Sequence, residues 1–310
     1  MHKWVLKVVT AVMATLLMIG SFAGLTSVQA AETDPVLSKI EKSGKLIVGT
    51  SADYAPYEFH TTVNGKDKIV GFDISVANEI AKRLGVKLVV QEMSFDALLG
   101  AVKTGKVDMV VAGMTATPER EQEVAFSEPY FVDKNVVMTL KKNANKLANL
   151  NDLKKATLAA QISSIQEDAA KQVGAKKVVS LKKVNDAVTQ LTQSKVDGVV
   201  VPDTTADSYM DQSNQFAVAK ATLPGETNGS SVVMAKNATV LQSKVDNILE
   251  KHVIGDPLDK WKDEAIALMN HKESFFEKYA PYFVKGTLYT VGLAVIGVFF
   301  GIILGVLLAL

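Results

Sequence analysis

VDMVVAGMTATPEREQEVAFSEPY, residues 107–130, is the stretch from which the rest of the chain is read. Val107, Met109, Val110 and Val111 form a short apolar run between Gly105 and Gly113, the pattern of a strand buried on both faces. The chain then turns at Gly113. Thr117, Pro118 and Glu119 read as an N-cap, a proline at the first helical position and an acid in the first turn, so a helix begins there. Arg120 sits in that first turn, where the positive end of the helix dipole disfavours a cation. A bound carboxylate would remove the conflict, because a guanidinium offers a planar two-pronged donor matched to it. The other reading pairs an exposed Arg120 with Glu119, Glu121 or Glu123.

Upstream, strands and helices alternate. Residues 46–49 read as a strand, and residues 69–72 as a short strand entering a helix. That helix carries Ile74, Ala77, Ile80, Ala81 and Leu84 on one stripe, with Gly85 as its stop. A strand at 87–91, a helix at 96–104 and the strand at 107–112 follow. These βαβ units call for a parallel sheet with helices on both faces and a ligand crevice at the carboxyl ends of its strands. After a lysine-rich stretch, 141–155, the alternation resumes with strands at 157–160, 177–180 and 196–201 and helices near 164–172, 185–193 and 204–210. A strand at 231–235 and helices at 240–249 and 257–268 come last. The pattern alone predicts two α/β lobes.

The formal charge of +1 over 310 residues gives no electrostatic case for nucleic acid. The chain has no cysteine, which removes disulfides, thiolate metal sites and thiol nucleophiles. His2, His60, His252 and His271 show no metal-ligand spacing, so no metal or other cofactor is expected. Residues 1–30 have a basic start, an apolar middle and a small-residue exit at Val28-Gln29-Ala30, the pattern of a signal peptide cut after Ala30; an uncleaved anchor is the other reading. Residues 286–310 carry no charge and are long enough to span a bilayer, with Tyr279, Tyr282, Phe283 and Tyr289 placed as an interfacial belt.

AGMTATPER followed by AFSEPY resembles the signature of bacterial solute-binding proteins for polar amino acids, of the ABC-transporter type. VGTSADYAPYEF, IVGFDISVANEIAKRLG, MSFDALLGAVKTGKVD, AAQISSIQED and VDGVVVPDTTA match that family in order, over about residues 36–268. The resemblance implies a two-lobed α/β fold of the type II periplasmic-binding-protein kind. Lobe 1 would comprise 36–133 and 232–268, lobe 2 would comprise 134–231, and two hinge crossings would lie near 130–134 and 227–231. EKYAPYFVKGTLYTVGLAVIGVFFGIILG also resembles the opening of an ABC amino-acid permease domain, which implies a fused polypeptide. A binding domain on a single anchor is the competing reading. The implied partners are a free L-amino acid outside the cell, an ABC permease domain, a cytoplasmic ATPase and the membrane.

By motif, the resemblance places Arg120 on the ligand's α-carboxylate, helped by Thr115 and the backbone of Ala112 and Gly113. Asp203 would take the α-ammonium, although on its own it reads equally as a helix cap. Tyr54 and Phe95 would clamp the side chain, although aromatics there also suit a core. Gln161 and Ser164 would supply further contacts. The chain departs from many relatives at Ser51, where an Asp or Asn reads the side chain, and at Ser163, where they carry glycine. With no charge at Ser51, the expected ligand has a neutral polar side chain, glutamine foremost. A cationic ligand would require Asp53 to turn inward. Two further classes share the fold: dehydratases, for which the cleft offers no base beyond Asp203 and Asp53, and ligand-sensing receptor domains.

Overall fold

The computed structural model describes residues 34–63, 65–224, 229–270 and 275–309; the expected signal peptide and residues 227 and 228 of the second hinge crossing lie outside them. Asp34 caps helix α1 (Pro35–Ser43), accepting the N–H groups of Val36 and Leu37 on one oxygen. Its other oxygen accepts Leu241 N–H at 2.8 Å, which ties the entry of α1 to a segment 207 residues away. Strand β1 (Lys45–Thr50) follows, then a small antiparallel sheet of β2 (Asp53–Tyr54), β3 (Glu58–Val63) and β4 (Lys66–Val70); the strand expected at 69–72 overlaps the end of β4, and β2 and β3 were not foreseen. Its polar outer residues, such as His60 and Lys68, hide the strand signal.

At Gly71, φ is +133° and a Cβ would lie 2.0 Å from the Tyr57 carbonyl, so only glycine lets the chain swing into α2 (Phe72–Arg83). The stripe that α2 buries is Val76, Ala77, Ile80 and Ala81 together with Asp73, while the expected members Ile74 and Leu84 are half-buried at its margins. β5 (Lys87–Glu92), α3 (Phe95–Lys103) and β6 (Met109–Val110) complete two parallel crossovers onto β1. The strand expected at 107–112 is thus reduced to two paired residues. α4 (Pro118–Glu123) and β7 (Val124–Phe126) follow.

The chain then builds a second sheet from β8 (Asn135–Leu140), a 3-10 turn, the short α5 (Leu150–Leu153), β9 (Thr157–Gln161), α6 (Ile165–Gln172), β10 (Lys177–Leu181), α7 (Val184–Thr192), β11 (Gly198–Pro202), α8 (Asp203–Gln212) and β12 (Phe216–Val218). It returns through β13 (Val233–Ala235), α9 (Thr239–His252) and α10 (Asp256–Asn270). The strand orders are β5-β1-β6-β13-β7 and β10-β9-β11-β8-β12. Both sheets are mixed, contrary to the all-parallel expectation. β13 runs antiparallel to β6 and β7, and β8 runs antiparallel to β11 and β12. The reason is topological, since the strands that carry the chain between sheets enter from the opposite end.

Tyr54, Tyr57, Phe72 and Phe131 stack in sequence with centroid separations of 4.4 to 5.9 Å where the two sheet units meet. The last helix, α11 (Phe275–Ala309), begins earlier than the 286–310 expected of it. Its apolar span, Tyr279–Ala309, is buried against nothing among the described residues. At 1.5 Å per residue it runs about 46 Å, long enough to cross the hydrocarbon core of a bilayer.

Candidate functional site

The helix start that opened the sequence reading forms as its local chemistry dictates. Thr117 Oγ1 accepts the N–H of Arg120 at 3.3 Å, and Pro118 occupies the first turn. The Arg120 guanidinium then reaches away from its own helix. Its Nη1 donates to the Thr115 carbonyl at 2.6 Å, and its Nη2 donates at 2.8 Å to the Ser163 carbonyl, which belongs to the second sheet unit. It lies 5.7 Å above the Phe95 ring. Glu119, Glu121 and Glu123 form no ion pair with it; among the described residues no carboxylate lies within ion-pair distance of Arg120. Burial pulls its pKa below the ordinary value, against the pull of Asp168 and Glu119. Two of its five N–H groups are used by the two carbonyls, which leaves three for an anion.

Ser163 holds its carbonyl toward Arg120 through a left-handed backbone, with φ of +62°. That conformation is the physical reason a glycine suits this turn. It is stabilised on both sides: Ser163 N–H donates to Glu167 Oε2 at 2.8 Å, and Ser164 caps α6 by accepting Glu167 N–H at 3.1 Å. The Ser164 hydroxyl proton is already given to the Gln161 carbonyl at 2.7 Å. Gln161 is buried and donates from Nε2 to the Lys182 carbonyl at 3.4 Å.

The first sheet unit brings Ser51, Tyr54, Phe95, Ala112 and Thr115 to the ends of its strands, all buried. The Gly113 N–H donates to Asp73 Oδ2 at 2.7 Å, so this residue offers a carbonyl rather than a donor to any ligand. Ser51 Oγ donates to Asp53 Oδ1 at 3.0 Å, and Asp53 Oδ2 accepts Val184 N–H at 2.6 Å from the second unit. Asp53 therefore turns inward. Burial pushes its pKa up, against the bonds from Ser51 and Val184 and the nearby Lys183 charge. Asp203 is the first residue of α8, and its Oδ1 accepts Thr204 N–H at 2.8 Å and Lys134 N–H at 3.4 Å. It borders a cavity of about 950 Å³ beside the crossing strand, with Asp133, Lys134 and Lys262. The other proposed contact residues do not line that cavity.

Sequence reasoning missed the layer beneath these loops. Asp73 lies within the apolar stripe of α2, fully buried, and also accepts the Tyr130 hydroxyl at 2.8 Å. Burial holds its pKa up at about 7. Glu58, equally buried, has its pKa pushed well above the usual range by burial and by the neighbouring Asp73 and Asp53. Tyr57 donates its hydroxyl to Asp133 at the crossing strand, and Asp133 is raised to about 6, mainly by burial. An acid inside an apolar helical stripe was the available signal.

Residues 46–263 match the model of the bacterial extracellular solute-binding proteins, family 3. The arginine-binding extracellular protein ArtP of Bacillus subtilis is 33% identical over 224 residues, covering 70% of this chain and 84% of its own. A Campylobacter jejuni protein named as a probable histidine-binding protein is 38% identical over 165 residues, 53% of this chain and 62% of its own. A solved amino acid ABC transporter substrate-binding protein from Streptococcus pneumoniae, bound to L-arginine, superposes with a TM-score of 0.73 at 35% identity, covering 75% of this chain and 98% of that one.

Proposed function

Because the chain belongs to family 3 of the bacterial extracellular solute-binding proteins, we propose that it captures a basic L-amino acid, arginine or lysine, outside the cell and delivers it to an ABC permease. One observation carries the reading: Arg120 is a partly buried guanidinium held by two carbonyls, with no anion of its own. A buried charge without a partner is costly, and an α-carboxylate from a ligand supplies one. In this reading Arg120 and Thr115 take the carboxylate, Asp203 takes the α-ammonium, and Tyr54 and Phe95 flank the side chain. Ser51, Gln161, Ser164 and the carbonyls of Ala112 and Gly113 line the remainder.

Glutamine was expected because Ser51 carries no charge, with a cationic ligand requiring Asp53 to turn inward. Asp53 faces inward, and among the described residues it is part of no ion pair. A cationic side chain would compensate it, and the arginine-binding relatives support that choice. A dehydratase would need a free acid and base beside the substrate. Against that reading, both Asp53 oxygens already accept hydrogen bonds, and Glu58 and Asp73 lie fully buried behind the loops.

We further propose residues 1–30 as the signal peptide, residues 36–133 and 232–268 as one lobe and 134–231 as the other. Tyr279–Ala309 would hold the binding domain at the membrane, either as the first helix of a fused permease or as a lone anchor, with a cytoplasmic ATPase driving uptake. Calorimetric titration of the full chain in lipid nanodiscs against the standard amino acids tests the ligand class. Arginine or lysine is expected to bind at least about tenfold more tightly than glutamine, a difference of about 1.4 kcal/mol. Tighter binding of glutamine would overturn the basic-ligand reading.

A further inference from the structure

Helix α7 begins without a cap of its own. Its N-cap residue is Lys183, and no side chain at that position bonds an N–H of the first turn. The N–H of Val184 is instead bonded by Asp53 Oδ2, which comes from the other sheet unit and 131 residues earlier in the chain. This bond exists only when the two units meet. The second carboxylate oxygen accepts from Ser51 Oγ of its own unit, which orients the group. Asp53 is 7% exposed.

Meeting therefore takes a carboxylate out of water. Two hydrogen bonds and the positive end of the α7 dipole offset part of that cost, but neither neutralises the charge. Among the charged groups that act on Asp53, Lys183 attracts it and Asp186 repels it. A ligand with a neutral side chain leaves the buried charge uncompensated, whereas a cationic side chain compensates it in the closed form alone. Such a ligand binds the closed form better than the open one, which is the condition for shifting a two-state equilibrium.

We infer that Asp53 is a specificity-determining residue that acts through closure: it caps α7 from the opposite unit, and the burial of its charge on closing selects ligands with a cationic side chain. The inference rests on the basic-ligand reading above, and it adds that selection occurs in the closing step. It also explains how a chain with Ser51 at the side-chain-reading position can still favour a cation. Ser51 orients the acid instead of being one.

The experiment uses the full chain in nanodiscs, with Asp53→Asn and Asp53→Ala beside the parent, titrated with L-arginine and L-glutamine. Amide hydrogen exchange at Val184 is followed with and without arginine. Asp53→Asn keeps an oxygen acceptor for Val184 while removing the charge, so it isolates the electrostatic part. The parent is expected to favour arginine, and Asp53→Asn to lose at least about tenfold in arginine affinity while glutamine binds more tightly than to the parent, because the uncompensated charge is no longer buried on closing. Val184 exchange should slow on arginine binding in the parent and remain fast in Asp53→Ala. An Asp53→Asn protein that keeps the parent's arginine-to-glutamine ratio, or a Val184 amide equally protected in all states, overturns this inference alone. A parent that favours glutamine overturns both this and the ligand class.

Discussion

The backbone N–H of Gly113 donates to the Asp73 carboxylate at 2.7 Å, so the turn that leads toward Arg120 is held from below by a fully buried acid. The same oxygen accepts the Tyr130 hydroxyl at 2.8 Å, just before the chain crosses to the second sheet. One side chain thus ties the binding turn to the crossing strand.

That arrangement has a pH signature. Burial raises the Asp73 pKa to about 7, whereas the unfolded chain titrates near the ordinary carboxylate value of about 3.9. Between those values the folded protein binds more protons than the unfolded one, so its stability is full at acid pH and is lost as pH rises through about 7. Asp133, raised to about 6, acts with the same sign. Thermal melts from pH 4.5 to 8, a range chosen as roughly spanning this window, should show a falling midpoint in the parent and a flatter curve in Asp73→Asn. Parallel curves would remove Asp73 as the source.

Replacing Arg120 with Ala should abolish amino-acid binding, a loss of at least about 100-fold for a charge-assisted pair in a partly buried site. The fold should survive, since the guanidinium bonds only two carbonyls and packs on one ring. Arg120→Lys should fail almost as badly, because a single ammonium cannot reproduce the fork. Calorimetry reads the binding and circular dichroism the fold; binding by Arg120→Ala within a few-fold of the parent would contradict the assignment.

Ser163 sits at φ +62° with its carbonyl on Arg120. Ser163→Gly should leave the melting temperature unchanged or higher. Ser163→Val should lower stability by about 1 to 2 kcal/mol, since a β-branched residue resists the left-handed region. Denaturant titration separates the two, and a Ser163→Val protein as stable as the parent would show that the turn adopts another backbone.

Gly71→Ala should prevent folding of the first sheet unit. Its Cβ would lie 2.0 Å from the Tyr57 carbonyl, at a φ of +133°, and the clash is with backbone. The cost should exceed about 4 kcal/mol, the range reserved for gross steric conflict. Soluble expression and the circular dichroism spectrum report it; a native spectrum would mean that the turn between β4 and α2 can relax.

Truncation after Asn270 should leave the melting transition of the α/β part within about 2 °C of the full chain's, because the apolar span of α11 is exposed among the described residues and small stability changes shift the midpoint by only a few degrees. The cut keeps the Met269 carbonyl, which accepts from Gln212 Nε2 at 2.9 Å. The truncated form should also leave the membrane fraction. A midpoint lowered by more than about 5 °C would show that the helix contributes to the domain.

Local chemistry was legible from the residues alone. The Thr117-Pro118 start, the βαβ alternation, the apolar terminal span and Arg120's conflict with its helix dipole are signals carried within a few residues, by caps, periods of 2 and 3.6, and composition. The tertiary structure alone decided what meets across long separations. It set the antiparallel direction of β8 and β13 and put Asp73 rather than solvent on the Gly113 N–H. It also aimed Arg120 at the Ser163 carbonyl and turned Asp53 inward onto the N–H of Val184. The physical reason is that a hydrogen bond spanning 131 residues leaves no periodicity in either segment: Asp53 and Val184 become partners only after two separately patterned sheets have packed and excluded water between them.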